Sequence, residues 1–257
     1  MKTETFETIT LINGDCMEFL KQQPDKSFDL CIADPPYGIN MASGHKHCKS
    51  NPKQTTVYKK ADWDVKPSKE YFEEVQRVCK HYIIWGANYF TDLIDLTGHS
   101  WLVWNKQQIA NANNFAMGEL AVTNIKKPLQ IYDFSYIHNK NNVSNGDPRK
   151  AQKYAKIHPC QKPAQLYRWL LKTYASEGDR ILDTHLGSGT IAIAAHDYGF
   201  ELTGIEIDKD YFEAAKKKLL EHQAQMKLFC NAQSPCALNS QNSHRNGSNF
   251  NDKYFLI

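Results

Sequence analysis

The chain has 257 residues, of which 41% are hydrophobic and 23% charged, proportions typical of one globular domain or two small ones. Its formal net charge of +3 is a weak indication of a polyanionic partner. No apolar run approaches the roughly 20 residues needed to cross a bilayer, and residues 1–10 lack the features of a secretory signal, so we expect a cytoplasmic protein without a membrane partner. The seven cysteines form no CxxC pair, so we expect no disulfide framework and no metal site.

Apolar runs and helical periodicities alternate along the chain. In chain order, β-strands are predicted at residues 8–13, 28–33, 81–85, 100–104, 119–123, 129–134, 180–183 and 202–207. Helices are predicted at residues 16–22, 69–79, 164–175, 191–198 and 211–222. Strands that alternate with helices predict an α/β fold, in which a largely parallel sheet is covered by helices on both faces.

Two long segments interrupt this alternation and are strongly basic. Residues 39–60 contain no acidic residue, and residues 138–162 contain a single one, Asp147. Because long loops in a compact domain are usually functional, we predict a catalytic domain over residues 1–229 with target-recognition loops inserted at about 39–62 and 136–157. The Asn/Ser/Gln-rich residues 230–257 are predicted to form a polar tail.

A glycine-rich segment, Ile181-Leu-Asp-Thr-His-Leu-Gly-Ser-Gly-Thr190, lies between a predicted strand and a predicted helix. Gly187 and Gly189 permit a sharp turn and the close approach of a ligand to the main chain. The next strand ends near Glu206, a carboxylate in the position that accepts the hydroxyls of a ribose. These features predict a site for an adenosine-containing ligand. The same segment also fits the dinucleotide pattern G-x-G-x-x-A, so a nicotinamide cofactor is left open.

The predicted strand at residues 28–33 runs directly into Asp34-Pro35-Pro36-Tyr37-Gly38. The two prolines hold Asp34 and Tyr37 on a stiff turn. This arrangement suits methylation of an aryl amine such as N6 of adenine, because Asp34 and the Pro35 carbonyl can each accept one amino hydrogen. Tyr37 would stack on the base after it has flipped out of the duplex. The methyl group then moves by direct displacement, without a metal or a covalent enzyme intermediate.

On these residues the chain resembles the DNA amino-methyltransferases, whose catalytic motif is D/S/N-P-P-Y/F/W and whose cofactor loop is a variant of F-x-G-x-G. Asp34–Tyr37 matches the first motif, and Leu186-Gly-Ser-Gly189 matches the second with Leu in place of Phe. The order of the two motifs resembles that of the permuted, β-type group. His158-Pro-Cys-Gln-Lys162-Pro163 is similar to the family's HPxxKP element, and Asn13-Gly-Asp15-Cys16 to its NGD segment. The resemblance covers roughly residues 8–222.

The resemblance implies a Rossmann-like, S-adenosylmethionine-dependent methyltransferase fold with a mostly parallel, twisted, seven-stranded sheet. It implies that Asp15 contacts the adenine of the cofactor and Glu206 its ribose, while Asp183 lies near the methionine portion. The residues expected to bind S-adenosyl-L-methionine are Asp15, Cys16, Asp34, Lys162, Asp183, Leu186, Gly187, Ser188, Gly189, Thr190, Glu206 and Ile207. The residues expected to be catalytic are Asp34, Pro35, Pro36 and Tyr37.

Double-stranded DNA is the expected partner, in a nucleoid-associated enzyme of the restriction–modification type. Basic side chains of the two inserted loops are predicted to contact phosphates: Lys46, Lys49, Lys53, Lys59, Lys60, Arg149, Lys150 and Lys153. Asn and Gln residues between the predicted strands, among them Asn105 and Gln107, are candidates for reading adenine edges. The Asp of the catalytic motif favours N6 of adenine, with N4 of cytosine as the alternative. A nicotinamide-dependent oxidoreductase and a non-catalytic DNA-binding module are the alternatives from other classes.

A short segment near the end of the last predicted helix, Gln225-Met-Lys-Leu-Phe229, resembles the Q-x-x-L-F peptides that dock on the bacterial sliding clamp. The alternative interpretation, which the sequence favours, is a helix end that packs on the core. The sequence does not distinguish a monomer from a homodimer.

Overall fold

The computed structural model describes residues 1–39, 64–107, 116–135 and 161–232, with side chains described as far as residue 226. The chain divides into two compact units, Met1–His222 and Gln223–Ile257. The first unit contains the whole sheet and the cavity described below. The basic loop segments fall largely outside the described residues, and so does most of the predicted polar tail.

The first unit is built on a nine-stranded sheet with the order β1-β2-β9-β8-β3-β4-β6-β5-β7. Strands β2, β9, β8, β3 and β4 are mutually parallel, and β5 and β7 run in the same direction. Strands β1 and β6 are antiparallel to their neighbours. The strands are β1 (Lys2–Phe6), β2 (Ile9–Asn13), β3 (Phe28–Ala33), β4 (Cys79–Trp85), β5 (Ser100–Asn105), β6 (Gly118–Thr123), β7 (Gln130–Asp133), β8 (Arg180–Asp183) and β9 (Glu201–Glu206).

The described residues form five α-helices, and local signals mark the start of α1 and the end of α4. They are α1 (Cys16–Lys21), α2 (Lys69–Val78), α3 (Ala164–Tyr174), α4 (Thr190–Tyr198) and α5 (Lys209–Ala232), with a 3-10 turn at Ala87–Tyr89. The carboxylate of Asp15 caps α1 by accepting the Met17 N–H. Gly199 ends α4 in the left-handed conformation, with φ of 73°, which glycine adopts without steric cost.

Each face of the sheet is covered by its own helices because successive side chains of a strand point to opposite faces. On β3, Leu30 and Ile32 join one buried cluster, which also contains residues of α3, α4 and α5. Cys31 and Ala33 join the other cluster, together with residues of α1 and α2. In α2, Tyr71, Phe72, Val75 and Val78 form the buried stripe, at the spacing expected for one side of a helix.

The predicted architecture, a mostly parallel α/β sheet with helices on both faces, is confirmed. The expected number of seven strands is wrong, since the sheet has nine. The apolar runs correspond to all of them except β1, whose segment Lys-Thr-Glu-Thr-Phe is largely exposed at the sheet edge and has no apolar run to mark it. No described helix is long and apolar enough to span a membrane.

The last helix continues to Ala232, beyond the predicted boundary between domain and tail. The segment from Gln225 to Phe229 therefore lies within a helix. The assignment of residues 1–229 and 230–257 to domain and tail stays a prediction, and so does docking of this segment on a sliding clamp.

Candidate active site

A cavity of about 590 Å³ opens at the carboxyl ends of the central parallel strands. Its walls include Asp15 after β2, Asp34 after β3, Thr184 after β8 and Ile207 after β9. Strands β3 and β8 are neighbours, but the chain continues from β3 to β4 on one side of this pair and from β8 to β9 on the other side. Such a switch point leaves a crevice beyond the strand ends, which is where open α/β sheets bind ligands.

Most residues that the sequence assigned to catalysis or to the cofactor line this one cavity. They are Asp15, Cys16, Asp34, Pro35, Pro36, Tyr37, Lys162, Leu186, Gly187, Ser188, Glu206 and Ile207. Three of the expected cofactor residues do not reach the wall: Asp183, Gly189 and Thr190. The structure thus brings the acidic-proline corner, Asp34–Tyr37, and the glycine loop, residues 186–189, together at one crevice.

The acidic-proline corner is held by an aromatic cluster. The Tyr37 hydroxyl donates a hydrogen bond of 2.6 Å to Oδ1 of Asp34. The Tyr37 ring stacks on Tyr89 at a centroid distance of 4.9 Å and meets the edge of Phe90 at 6.0 Å. A Cβ on Gly86, whose φ is 72°, would lie 2.1 Å from Cε1 of Tyr37, so this packing requires a glycine there.

The other oxygen of the Asp34 carboxylate forms an ion pair with Nζ of Lys162. The Lys162 side chain is 2% exposed and that of Asp34 is 14% exposed, so both charges have lost most of their water. Burial raises the pKa of Asp34 above its usual value, although the Lys162 ammonium opposes the rise. Burial alone would lower the pKa of Lys162, but the negative charges of Asp34 and Glu119 raise the pKa of its ammonium group above the usual range.

The two glycines of the glycine loop, Gly187 and Gly189, have different surroundings. Both have a left-handed φ, 52° at Gly187 and 65° at Gly189, and this part of the prediction is confirmed. Gly187 lies on the cavity wall. A Cβ at Gly189 would lie 2.7 Å from Cβ of Ala215 on α5. This glycine allows close packing of the loop against a helix. That Gly189 also lets a ligand approach the main chain stays a prediction.

The Glu206 carboxylate is fixed by main-chain amides at the end of β9. Oε2 accepts the Gly187 N–H at 2.7 Å, and Oε1 accepts the Asp208 N–H at 2.8 Å. Burial raises the pKa of Glu206 to about 7 even though both amides favour the ionised form. The side chain is thus an oriented acceptor on the cavity wall, at the end of the strand that neighbours the glycine loop.

Asp183 is the last residue of β8, where the chain turns towards the glycine loop. Its side chain is buried, and Oδ1 accepts the N–H of His185 at 2.9 Å. Burial raises the pKa of Asp183 to about 8, and the nearby Asp34 and Glu206 charges add to the rise. At this position the carboxylate orders the turn that leads into the loop.

The NGD segment, Asn13-Gly14-Asp15, forms the part of the cavity wall next to Glu206. Asp15 is exposed and uses Oδ1 to cap α1 through the Met17 N–H at 2.8 Å. Burial raises the pKa of the Cys16 thiol to about 12, so the thiol is neutral at physiological pH. Asn13 anchors the segment to the neighbouring strand by donating to the main-chain oxygen of Glu206 at 2.8 Å.

Several wall residues were not identified from the sequence. His185 lies on the wall, and its Nδ1 is 2.9 Å from Oγ1 of Thr184, which is 2.7 Å from the Tyr71 hydroxyl. Burial lowers the pKa of His185 to about 4, so the ring is neutral. The only sequence signal for His185 was its place within the glycine-rich segment, and Tyr71 was indistinguishable from an ordinary core residue of α2.

The predicted DNA-contacting residues, Lys46, Lys49, Lys53, Lys59, Lys60, Arg149, Lys150 and Lys153, lie outside the described residues. Two candidates for base reading are described. The Asn105 amide donates to Oδ1 of Asp133 at 2.7 Å, and its oxygen accepts the Gln107 N–H at 3.1 Å. The first bond joins the ends of β5 and β7 and the second orders the turn after β5, so both polar groups of the Asn105 side chain are engaged.

One cluster outside the cavity has side chains of the metal-ligating type. Potential ligand atoms of His196, Asp197 and His222 lie within 4.8 Å of one another. Asp197 accepts hydrogen bonds from Nε of Arg168 at 2.9 Å and from Nε2 of His222 at 2.6 Å. The guanidinium group next to the carboxylate disfavours a second cation, so we interpret the cluster as an ion-pair network between α3, α4 and α5.

Comparison with known proteins identifies the class of the site. A family model described as DNA methylase (N6_N4_Mtase) matches residues 53–217. The type II methyltransferase M.HpaI of Haemophilus parainfluenzae is 26% identical over 239 residues, which cover 81% of this chain and 73% of that protein. The type II methyltransferase M2.DpnII of Streptococcus pneumoniae is 26% identical over 246 residues, covering 81% of this chain and 88% of that protein.

Two solved structures share the fold. The M1.HpyAVI–SAM complex superposes with a TM-score of 0.55 at 20% identity, covering 82% of this chain and 100% of that one. The cytosine-N4-specific PvuII DNA methyltransferase gives a TM-score of 0.52 at 13% identity, covering 90% of this chain and 96% of that one. Because the family match spans more than half of the chain and agrees with the predicted resemblance, this protein belongs to the N6_N4_Mtase family of DNA methylases.

Proposed function

We propose that this protein transfers the methyl group of S-adenosylmethionine to the exocyclic N6 of an adenine flipped out of double-stranded DNA. The observation that carries the proposal is the position of the Asp34 carboxylate, on the wall of the same cavity as Gly187 and Glu206. A hydrogen-bond acceptor for an amine and a set of groups suited to an adenosine moiety therefore face one crevice.

The residues present fit S-adenosylmethionine. The cavity volume of about 590 Å³ is within the range of small-molecule sites. Glu206 is almost fully buried, and its two amide bonds leave one lone pair on each oxygen to accept the ribose hydroxyls. Asp15 is exposed on the wall for contact with the adenine, and Lys162 closes the crevice on the side of Asp34. When bound, the cofactor supplies a methyl group on a positively charged sulfur.

Asp34 and Pro35 prepare the amine. The lone pair of an aryl amine is delocalised into the ring, so the nitrogen is a poor nucleophile until its hydrogens are held out of the ring plane. Oδ1 of Asp34 accepts the Tyr37 hydroxyl and retains a second lone pair for one amino hydrogen. The Pro35 carbonyl would accept the other. The amine would then attack the methyl group that the cofactor supplies, and the sulfur would depart as a neutral thioether. The Asp34 carboxylate would stabilise the positive charge that develops on the nitrogen, which then releases one proton.

Tyr37 would hold the flipped base. Its ring lines the cavity and continues a stacked pair with Tyr89, whose rings are 16° from parallel. Stacking on an aromatic side chain recovers part of the energy lost when a base leaves the duplex. The basic residues of the two inserted segments are proposed to neutralise DNA phosphates near the crevice, so binding should weaken as salt rises.

Adenine is proposed as the target because the motif begins with Asp, whereas cytosine-N4 enzymes of the family more often carry Ser. The N4 amine of cytosine presents the same two hydrogens, so it is the second candidate. Two relatives of the same family, M.HpaI and M2.DpnII, are type II methyltransferases, which is consistent with a sequence-specific modification enzyme.

The test is to incubate the purified full chain with DNA and labelled S-adenosylmethionine, then digest the DNA and separate its nucleosides. We expect N6-methyladenine. The Asp34→Ala variant should lose about 100-fold or more in kcat and should still bind S-adenosylmethionine by calorimetry. Asp25→Ala, which removes an exposed carboxylate paired with Arg77, is the control and should keep full activity. Full activity of Asp34→Ala would remove the mechanism, and N4-methylcytosine in the digest would replace the target.

A further inference from the structure

Four side chains of alternating charge continue from the catalytic corner into the sheet. Lys162 pairs with Asp34, and its Nζ also lies 3.1 Å from Oε2 of Glu119. The other oxygen of Glu119, Oε1, lies 2.5 Å from Nζ of Lys106. Nζ of Lys106 in turn lies 5.0 Å from the centre of the Trp104 ring. Both lysines and Glu119 are mostly buried, so these charges depend on one another for compensation.

The sheet topology explains how Glu119 reaches the site. Strand β6 is antiparallel to β4, and Ala121 of β6 pairs with Trp85, the last residue of β4. Glu119 lies two positions before Ala121, so it extends beyond the carboxyl end of β4, on the same edge as Asp34. Lys106 follows the end of β5, which is antiparallel to β6, and reaches the same edge. A residue at the start of a strand is thus placed beside residues that follow strand ends.

Lys162 alone would have opposing effects on Asp34. It keeps the buried carboxylate ionised, but a cation bonded to that carboxylate also weakens the carboxylate as an acceptor for a substrate amine. A second carboxylate near the same ammonium group shares its positive charge with Asp34. Burial by itself would raise the pKa of Glu119, but the Lys162 and Lys106 ammonium groups lower it to about 2, so Glu119 is ionised across the physiological range.

We propose that Glu119 is a positioning residue that draws the Lys162 ammonium group partly away from Asp34, so that Asp34, which Lys162 keeps ionised, remains a strong acceptor for the target amine. Glu119 does not line the cavity and acts through Lys162. The Lys106 ammonium group pairs with Oε1 of Glu119 and so fixes the orientation of the Glu119 carboxylate. The inference rests on the proposed role of Asp34 and adds to it a group from a strand that was predicted only as part of the sheet.

The acid limb of the activity profile would report on this arrangement, because it follows protonation of Asp34. The groups that face Asp34 or bear on its charge come from several elements. They are Tyr37 of the same corner, Lys162 before α3, Tyr167 of α3, Glu119 of β6 and Asp183 of β8. The negative charge of Glu119 raises the pKa of Asp34, and the positive charge of Lys162 lowers it.

The test compares Glu119→Gln with wild type in steady-state kinetics over a range of pH. Glutamine keeps the size of the side chain but removes the charge, so Lys162 pairs with Asp34 alone. We expect kcat to fall about tenfold, with little change in KM for S-adenosylmethionine. The acid limb of kcat should move to lower pH, because a negative charge near Asp34 is lost. A merely structural role would lower activity equally at every pH.

Two further variants and a control distinguish an effect through Lys162 from a general structural effect. Lys106→Met frees Glu119 to bind Lys162 more strongly, which should move the acid limb to higher pH, opposite to Glu119→Gln. In a Lys162→Met background, Glu119→Gln should no longer lower kcat, as a double-mutant cycle would show. Glu201→Gln is the control: Glu201 is exposed at the start of β9, at the opposite end of the strands from the cavity, and this variant should leave both kcat and its pH profile unchanged.

An unchanged acid limb in both Glu119→Gln and Lys106→Met would overturn this inference. Additive effects of Glu119→Gln and Lys162→Met would do the same. Neither result would touch the proposed function, which fails instead if Asp34→Ala remains fully active. If Glu119→Gln does not fold, the direction of the shift in Lys106→Met decides the question.

Discussion

The two ends of the cavity hold buried carboxylates by different means. At the catalytic end, Asp34 and Glu119 are compensated by the ammonium groups of Lys162 and Lys106. At the glycine-loop end, Glu206 and Asp183 accept hydrogen bonds from the main-chain amides of Gly187, Asp208 and His185. The pKa of Glu119 is about 2, whereas that of Glu206 is about 7 and that of Asp183 about 8.

The difference follows from the strength of the partners. Two ammonium groups at short distance offset the loss of water around Glu119, whereas the single lysine at Asp34 and the amide dipoles at Glu206 and Asp183 offset it only in part, so these three carboxylates keep a raised pKa. The catalytic end therefore depends on side chains from β6, β5 and the segment before α3. The glycine-loop end depends on the backbone conformation of the loop itself. The two ends should respond differently to substitution and to pH.

The largest effect is expected at the catalytic end. Lys162→Met removes the cation between Asp34 and Glu119 and leaves two buried carboxylates that repel each other. We expect the free energy of unfolding to fall by about 3–5 kcal/mol, measured by urea denaturation at neutral pH. Lys69→Met, which removes an exposed lysine paired with Glu73, is the matched control. If the two variants were equally stable, the ion pairs around Lys162 would contribute no more than a surface pair.

A smaller loss of stability is expected in the glycine loop. Gly189→Ala combines a left-handed φ with a steric overlap against Ala215. It should lower the free energy of unfolding by about 2–4 kcal/mol and should weaken cofactor binding by displacing the Gly187 N–H from Glu206.

Gly199→Ala is the matched control for this effect, since Gly199 also has a left-handed φ, of 73°, but no atom within 4 Å of the added Cβ. Gly199→Ala should lower the free energy of unfolding by about 1–2 kcal/mol. Adding Ala215→Gly to Gly189→Ala should recover the steric part alone. Equal losses in the two single variants would mean that the loop does not pack tightly on α5.

The smallest effect is expected in the pH dependence of cofactor binding. Glu206 has a raised pKa of about 7, and ribose hydroxyls need its ionised form as an acceptor. Affinity for S-adenosylmethionine should therefore be greatest above about pH 7 and fall as pH decreases through it, by about tenfold per pH unit at most. Calorimetry between about pH 5.5 and about pH 8.5, roughly one and a half units on either side of the Glu206 pKa, would measure this.

Glu206→Gln should bind more weakly and lose most of this pH dependence. S-adenosylhomocysteine shares the ribose but lacks the sulfonium charge, so it should show the same fall. If only the sulfonium compound were sensitive to pH, the responsible group would be a charge near the methionine portion, such as Asp183, and not the ribose acceptor.

The accuracy of the sequence predictions varied with how local each signal was. Strands β3 and β8 were placed to the residue, because continuous apolar runs end at the prolines after Ala33 and at the turn after Asp183. The 3-10 turn at Ala87–Tyr89 was missed although it supplies Tyr89, which stacks on Tyr37. A short turn after a strand carries no periodicity, and an aromatic residue in it looks like any other.

The sequence by itself determined two local features of the site: the corner stiffened by Pro35 and Pro36, and the sharp turn at Gly187 and Gly189. Both depend on the backbone preferences of adjacent residues, which the sequence states directly. Only the tertiary structure decided that Glu119 and Lys106 join Asp34, and that Gly189 serves packing. Those contacts arise from strand pairing and helix packing between residues far apart in the chain, and no pattern in neighbouring residues encodes them.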